Sequence, residues 1–200
     1  MNEKITQLLD QIAVLEEDLR NAVHEHEASV LYQIKGKRVE FEESVRQTHL
    51  SLKKSFFHWV VTYRPQNLIT GPIIYSMIVP MAILDLFVSF YQASCFPIYK
   101  ITKVQRRDYI VFDRQQLGYL NWIEKFHCTY CAYGNGLMAY VSEIVARTEE
   151  YFCPIKHARK VVATHAHYQR FLRYGDADDY EVKLEKIRVS MGEKKPSDQQ

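Results

Sequence analysis

The chain has 200 residues, with 26 Lys and Arg against 24 Asp and Glu, 47% hydrophobic and 25% charged residues. That balance describes one globular domain or two small ones and excludes a collagen, a low-complexity chain or a wholly disordered one. A net charge of +2 lacks the concentrated basic face that nucleic acid demands, so no nucleic acid partner is expected.

The charged N-terminus has no short apolar core and no small-residue cleavage site, so no secretory signal is expected. Ile5, Leu8, Ile12, Leu15, Leu19 and Ala22 recur three and four apart, the a/d spacing that brings one helical stripe to a partner. So short a repeat leaves open whether that partner is a second copy, another protein or another helix of the same chain. The helical pattern is read onward through Val30, Ile34, Val39, Phe41 and Val45, across Gly36, to the aromatic run Phe56, Phe57, Trp59 and Tyr63. It predicts one long amphipathic, coiled-coil-like helix over 1–64, closed by Arg64 and Pro65.

From Pro65 to Tyr99 there is no Lys or Arg and a single acid, Asp85. Such a stretch exceeds the roughly 20 apolar residues needed to cross a hydrocarbon core of about 30 Å. Pro72 suits a helix start and Pro97 a helix end, so one membrane helix is predicted over about 73–96, with Asp85 near the midplane. A carboxylate at that depth is either a helix-packing contact or a functional group. The flanks hold Arg46, Lys53, Lys54 and Arg64 on one side and Lys100, Lys103, Arg106, Arg107 and Arg114 on the other, which decides no orientation. A re-entrant hairpin turning near Pro80 to Asp85 therefore stays open beside the single span. The membrane segment with its basic flank is assigned to 65–107.

A region over 108–174 mixes aromatic, Cys and His residues in helical periods. Cys128, Cys131, Cys153 and His157 supply three thiols and an imidazole, a donor set that fits a closed tetrahedral shell. The Gly134-Asn135-Gly136 run is read as a break that lets a helix over 137–152 return the second pair to the first. Zinc is the expected ion, with iron or an iron-sulfur cluster as the alternative. Two other readings stand beside the metal: small packing residues in a helical core, and a Cys128/Cys131 dithiol with Cys153 as resolving thiol. Cys95, without a partner nearby in sequence, reads as packing.

Glu124 and His127 form one Glu-x-x-His step of the kind that di-iron bundles use twice. Glu143, Glu149 and Glu150 are placed to complete it, or are solvated positions of an amphipathic helix. His165 and His167 read as surface residues. Beyond Gly175 the chain turns polar, and 175–200 is expected to be partly disordered despite a weak apolar run at Val182, Leu184 and Ile187.

No phosphate loop, dinucleotide fingerprint, nucleophile elbow or zincin helix occurs in the sequence. The block Phe112 to Lys160, FDRQQLGYLNWIEKFHCTYCAYGNGLMAYVSEIVARTEEYFCPIKHARK, resembles an uncharacterised family of small bacterial membrane proteins. That resemblance implies a bacterial inner-membrane protein and carries no catalytic role to any residue. The sequence thus predicts an all-α, membrane-anchored assembly or interaction module with its Cys/His region on the cytoplasmic side. The rival is a membrane-bound redox or metal-dependent enzyme using the Cys128, Cys131 and Cys153 cluster.

Overall fold

The computed structural model describes residues 3–28, 32–35, 38–41, 43–51 and 65–193. The aromatic run over 56–63, Gly36 and the last seven residues lie outside them. The described residues are mostly helical and divide into two compact units, 1–62 with 113–125, and 63–112 with 126–200.

In the first unit, α1 (Glu3–Ala28) ends well short of the long helix predicted to Arg64. A hairpin follows, β1 (Tyr32–Lys35) and β2 (Arg38–Phe41), then α2 (Glu43–Ser51). The reason is a change of period. Tyr32, Ile34, Val39 and Phe41 alternate with polar residues, and the register sets Tyr32 opposite Phe41 and Ile34 opposite Val39. Read at helical spacing these residues continue a stripe, but β-branched and aromatic residues at period two favour a pleated pair. The ring of His49 on α2 lies edge-on to Phe41 at 4.9 Å and to Tyr119 at 5.0 Å, tying 113–121 to this unit.

The second unit is built on the apolar segment. It forms α3 (Pro65–Ser76) and α4 (Ile78–Ile98), so the helix starts at Pro65 and Pro72 lies inside it. Pro80 has no N–H to give the Ser76 carbonyl, which accounts for the break between the two helices. The Ile74 carbonyl at that break accepts a bond from Tyr130 Oη at 2.6 Å.

α4 closes with a Schellman motif. The Ile101 N–H bonds the Phe96 carbonyl at 2.9 Å and the Lys100 N–H bonds that of Pro97 at 3.3 Å, with Lys100 left-handed at φ 56° and Ile101 and Phe96 both in the core. The chain then doubles back along α4 as an extended segment containing the short helix α5 (Arg106–Tyr109). Gln92 stands in for a strand partner. Its amide oxygen accepts the Val104 N–H at 2.6 Å, and its amide nitrogen donates to the Val104 carbonyl at 3.2 Å and to Tyr140 Oη at 2.9 Å.

α6 (Trp122–Phe152) runs unbroken for 31 residues and lies parallel to α3–α4, pairing Tyr130 with Ile74, Tyr133 with Asp85 and Tyr140 with Gln92. The core between them holds Phe96, Ile101, Val104, Ile110, Leu137, Tyr140, Ile144 and Met191. The apolar helix and the Cys/His-rich region, divided at residue 107 on sequence, therefore share one core. Met191 and Leu184 belong to α7 (Tyr180–Glu193), so within the tail expected to be partly disordered the weak apolar run lies on a packed helix. Arg188 anchors it, with Nε 3.1 Å from the Tyr151 carbonyl and its guanidinium over the Tyr151 ring.

Candidate functional site

The outer face of α3–α4 is bare. Ile69, Ile73, Val79, Ile83, Leu86, Phe87, Phe90 and Ile98 are all large, apolar and exposed, recurring mostly three and four apart. The segment Ile69–Ile98 is long and apolar enough to cross a membrane. On the inner face, Asp85 is clamped by Arg106, whose terminal nitrogen is 2.7 Å from Oδ2 and whose Nε is 3.3 Å from Oδ1. Tyr133 donates to Oδ2 at 3.0 Å and Ser89 to Oδ1 at 3.3 Å. The lone acid of the apolar segment is thus a latch that binds the returning chain and α6 to α4.

A second polar cluster lies further along α6. Glu143, Arg147 and Glu150 are spaced to share one helical face, and His167 reaches them from the 3-10 turn Ala166–Arg170. His167 Nδ1 is 2.5 Å from Glu150 Oε2, and its Nε2 is 3.1 Å from Glu143 Oε1. Arg147 donates to Glu143 at 2.8 Å and to the Thr102 carbonyl at 2.7 Å. The hydrogen bonds to Glu143 and Glu150 raise the imidazole to a pKa of about 9 against the effect of burial. Burial opposes the charge on Glu143, yet the bonds from His167 and Arg147 outweigh it and hold its pKa at about 2. The arrangement is an imidazolium gripped by two carboxylates. With both ring nitrogens donating, it serves as a charge latch and has no lone pair to act as a base.

A cavity of about 380 Å³ opens beside this cluster, lined by Glu143, Arg147, Glu150 and His167 with Tyr109 and Arg170 among its other walls. No cysteine lines it.

The Cys/His set is not gathered. The expected break at 134–136 does not occur, because Gly136 sits under the backbone of Tyr109 and Ile110 as a packing notch. Cys128 and Cys131 lie on α6 and Cys153 just beyond its end. At about 1.5 Å rise per residue, Cys153 is about 33 Å from Cys131 along the axis. His157 lies past Cys153, exposed and stacked on Tyr168. One chain therefore brings these four residues neither into a single metal shell nor into dithiol-and-resolving-thiol contact. Among the described residues no group of three or more His, Cys, Asp or Glu has metal-holding geometry. Cys95 is half-buried on α4.

Glu124 is a cap. Its carboxylate accepts the Asn121 N–H at 2.9 Å, while Asn121 Oδ1 accepts the N–H groups of Ile123 and Glu124 at 3.0 Å, a reciprocal capping box for α6. At the rise of an α-helix, His127 is more than 20 Å from Glu143, so the Glu-x-x-His step and the later glutamates do not form one centre. His165 and His167, read as surface residues, are half-buried and paired with glutamates of α6, His165 with Glu149 at 3.0 Å. The signal for this cluster was the run of acids at helical spacing on one face of α6, but its histidines arrive from a loop that periodicity does not place.

The chain matches no family model, no curated protein and no solved structure.

Proposed function

We propose that this chain is a membrane-attached helical assembly module, held to lipid through the outer face of α3–α4 and joined to a second copy through α1. The observation that carries the reading is the row of large exposed apolar residues between Ile69 and Ile98, with the one acid of the segment turned inward and ion-paired. Burying such a face in water-excluding surroundings is favourable by roughly 25 cal/mol per Å². The α1 stripe supports the second part, because Ile12, Leu15 and Leu19 are half or more exposed at a/d spacing.

Vesicle flotation of the full chain tests the attachment. The wild type is expected to float with the lipid, and the double variant Phe87→Glu/Phe90→Glu to stay with the soluble fraction while keeping its helical circular dichroism. Equal flotation of both overturns the reading. Light scattering tests the assembly: Leu15→Glu/Leu19→Glu is expected to reduce the mass to that of one chain, and a wild type that is itself a monomer removes this part.

A further inference from the structure

We infer that α3–α4 lies along one leaflet of an anionic membrane, its apolar face sunk into the lipid, and does not cross the bilayer. This inference rests on the membrane attachment proposed above and names the geometry of that contact.

Asp85 sits near the middle of the apolar segment, about 24 Å along the helix from Ile69 and about 20 Å from Ile98 at about 1.5 Å per residue. In a crossing helix it falls close to the bilayer midplane. Arg106 is bound to it at 2.7 Å, and the Arg106 side chain is 46% exposed. Its neighbours on α5, Arg107 and Asp108, are 84% and 61% exposed. Crossing would therefore carry a short helix of exposed charges, with Arg107 and Asp108 paired to one another at 3.6 Å, into the hydrocarbon centre beside Asp85, where each ion is strongly disfavoured. It would carry with it the extended chain around α5, whose non-helical backbone is tolerated at that depth only when covered by protein or facing water.

An in-plane helix has no such conflict. Val79, Ile83, Leu86, Phe87 and Phe90 point outward, whereas Asp85, Ser89 and Gln92 point toward the returning chain and α6. The segment itself carries almost no charge, so from Met81 onward the polar side of this interfacial helix is supplied by the rest of the unit packed on its back, whereas Ile74, Met77 and Ile78 leave the preceding turns apolar and exposed on that side too. Lys100, Lys103, Arg106 and Arg107, all exposed, follow directly on the apolar segment and complement the negative surface of anionic lipid.

Depth-dependent quenching by brominated lipids decides between the geometries. Ile73→Trp, Phe87→Trp and Ile98→Trp are made one at a time in the full chain carrying Trp59→Phe and Trp122→Phe, and bound to phosphatidylcholine/phosphatidylglycerol vesicles. In-plane attachment gives three similar, shallow depths and binding at least tenfold tighter than to phosphatidylcholine alone. A Trp at position 87 in the bilayer centre, with 73 and 98 shallow, means a crossing helix and overturns the inference while leaving membrane attachment intact. Equal affinity for neutral vesicles overturns the assignment of an anionic surface. Absence of quenching at all three positions overturns the attachment itself. Absence of quenching with a concentration-dependent dimer that persists in Leu15→Glu/Leu19→Glu and is lost in Phe87→Glu/Phe90→Glu overturns the inference and assigns the face to a second copy.

Discussion

A Cβ on Gly136 would run into the Tyr109 carbonyl oxygen and stand 3.0 Å from Ile110 Cα, backbone atoms held in the core. A Cβ on Gly134 would meet the end of the Met81 side chain, its sulfur at 3.3 Å and its methyl carbon at 3.8 Å, which is flexible. Alanine favours a helix by up to about 1 kcal/mol over glycine, so Gly134→Ala is expected to be neutral or slightly stabilising. Gly136→Ala is expected to cost about 2–3 kcal/mol, because overpacking against fixed backbone outweighs propensity. Chemical denaturation of the pair checks the contrast.

His167 supplies the pH dependence at the same scale. Its pKa is about 9 in the folded chain, against an ordinary 6.5, so its contribution is complete below about pH 6.5 and is lost as pH rises through 9. Glu143, lowered from 4.5 to about 2, contributes above about pH 4.5 and loses that contribution as pH falls through 2. The two share one contact, so about 3 kcal/mol is an upper limit for the pair and the shifts are not summed. Maximum stability is expected between about pH 4.5 and 6.5, and His167→Ala is expected to lower the plateau and flatten the alkaline decline. A steep decline between pH 6.5 and 9 that persists in the variant would show that another group governs it.

At the scale of the element, the reversal after α4 decides where the returning chain goes. Lys100 occupies a left-handed position, φ 56°, that glycine adopts without a Cβ penalty. Lys100→Gly is therefore expected to raise the thermal midpoint, by an amount corresponding to about 0.5–1 kcal/mol. Capping of α6 runs the other way: Asn121→Ala removes the acceptor for two first-turn N–H groups and is expected to cost about 1 kcal/mol. Neither device was read from the sequence, since a lysine carries no turn signal. Asn121 and Glu124 do form a recognisable capping pair once a helix start at residue 122 is considered.

At the scale of the whole molecule, α7 tests whether the C-terminal stretch belongs to the fold. Leu184 and Met191 are buried, and Ile187 packs against the same core. Ending the chain at Gly175 removes these three apolar side chains, and the expected loss is on the order of 4 kcal/mol of unfolding free energy. An unchanged denaturation curve would mean that α7 contributes nothing to the core.

Several features were legible in the sequence alone because they depend on local spacing. Among them are a mostly helical chain and an apolar segment over 65–99 with Asp85 as its only charge. The hairpin was misread because apolar residues over 30–45 satisfy both periods loosely, and the cross-strand register that separates them is not local. Only the tertiary structure decided the rest. It paired Asp85 with Arg106, used Gly136 as a notch in an unbroken α6, and thereby held Cys128 and Cys131 far from Cys153. It also brought His167 from a loop between two glutamates of one helix face. Each of these rests on where the chain turns back after Ile98 and Phe152, and a contact between residues distant in sequence leaves no periodic trace along the chain.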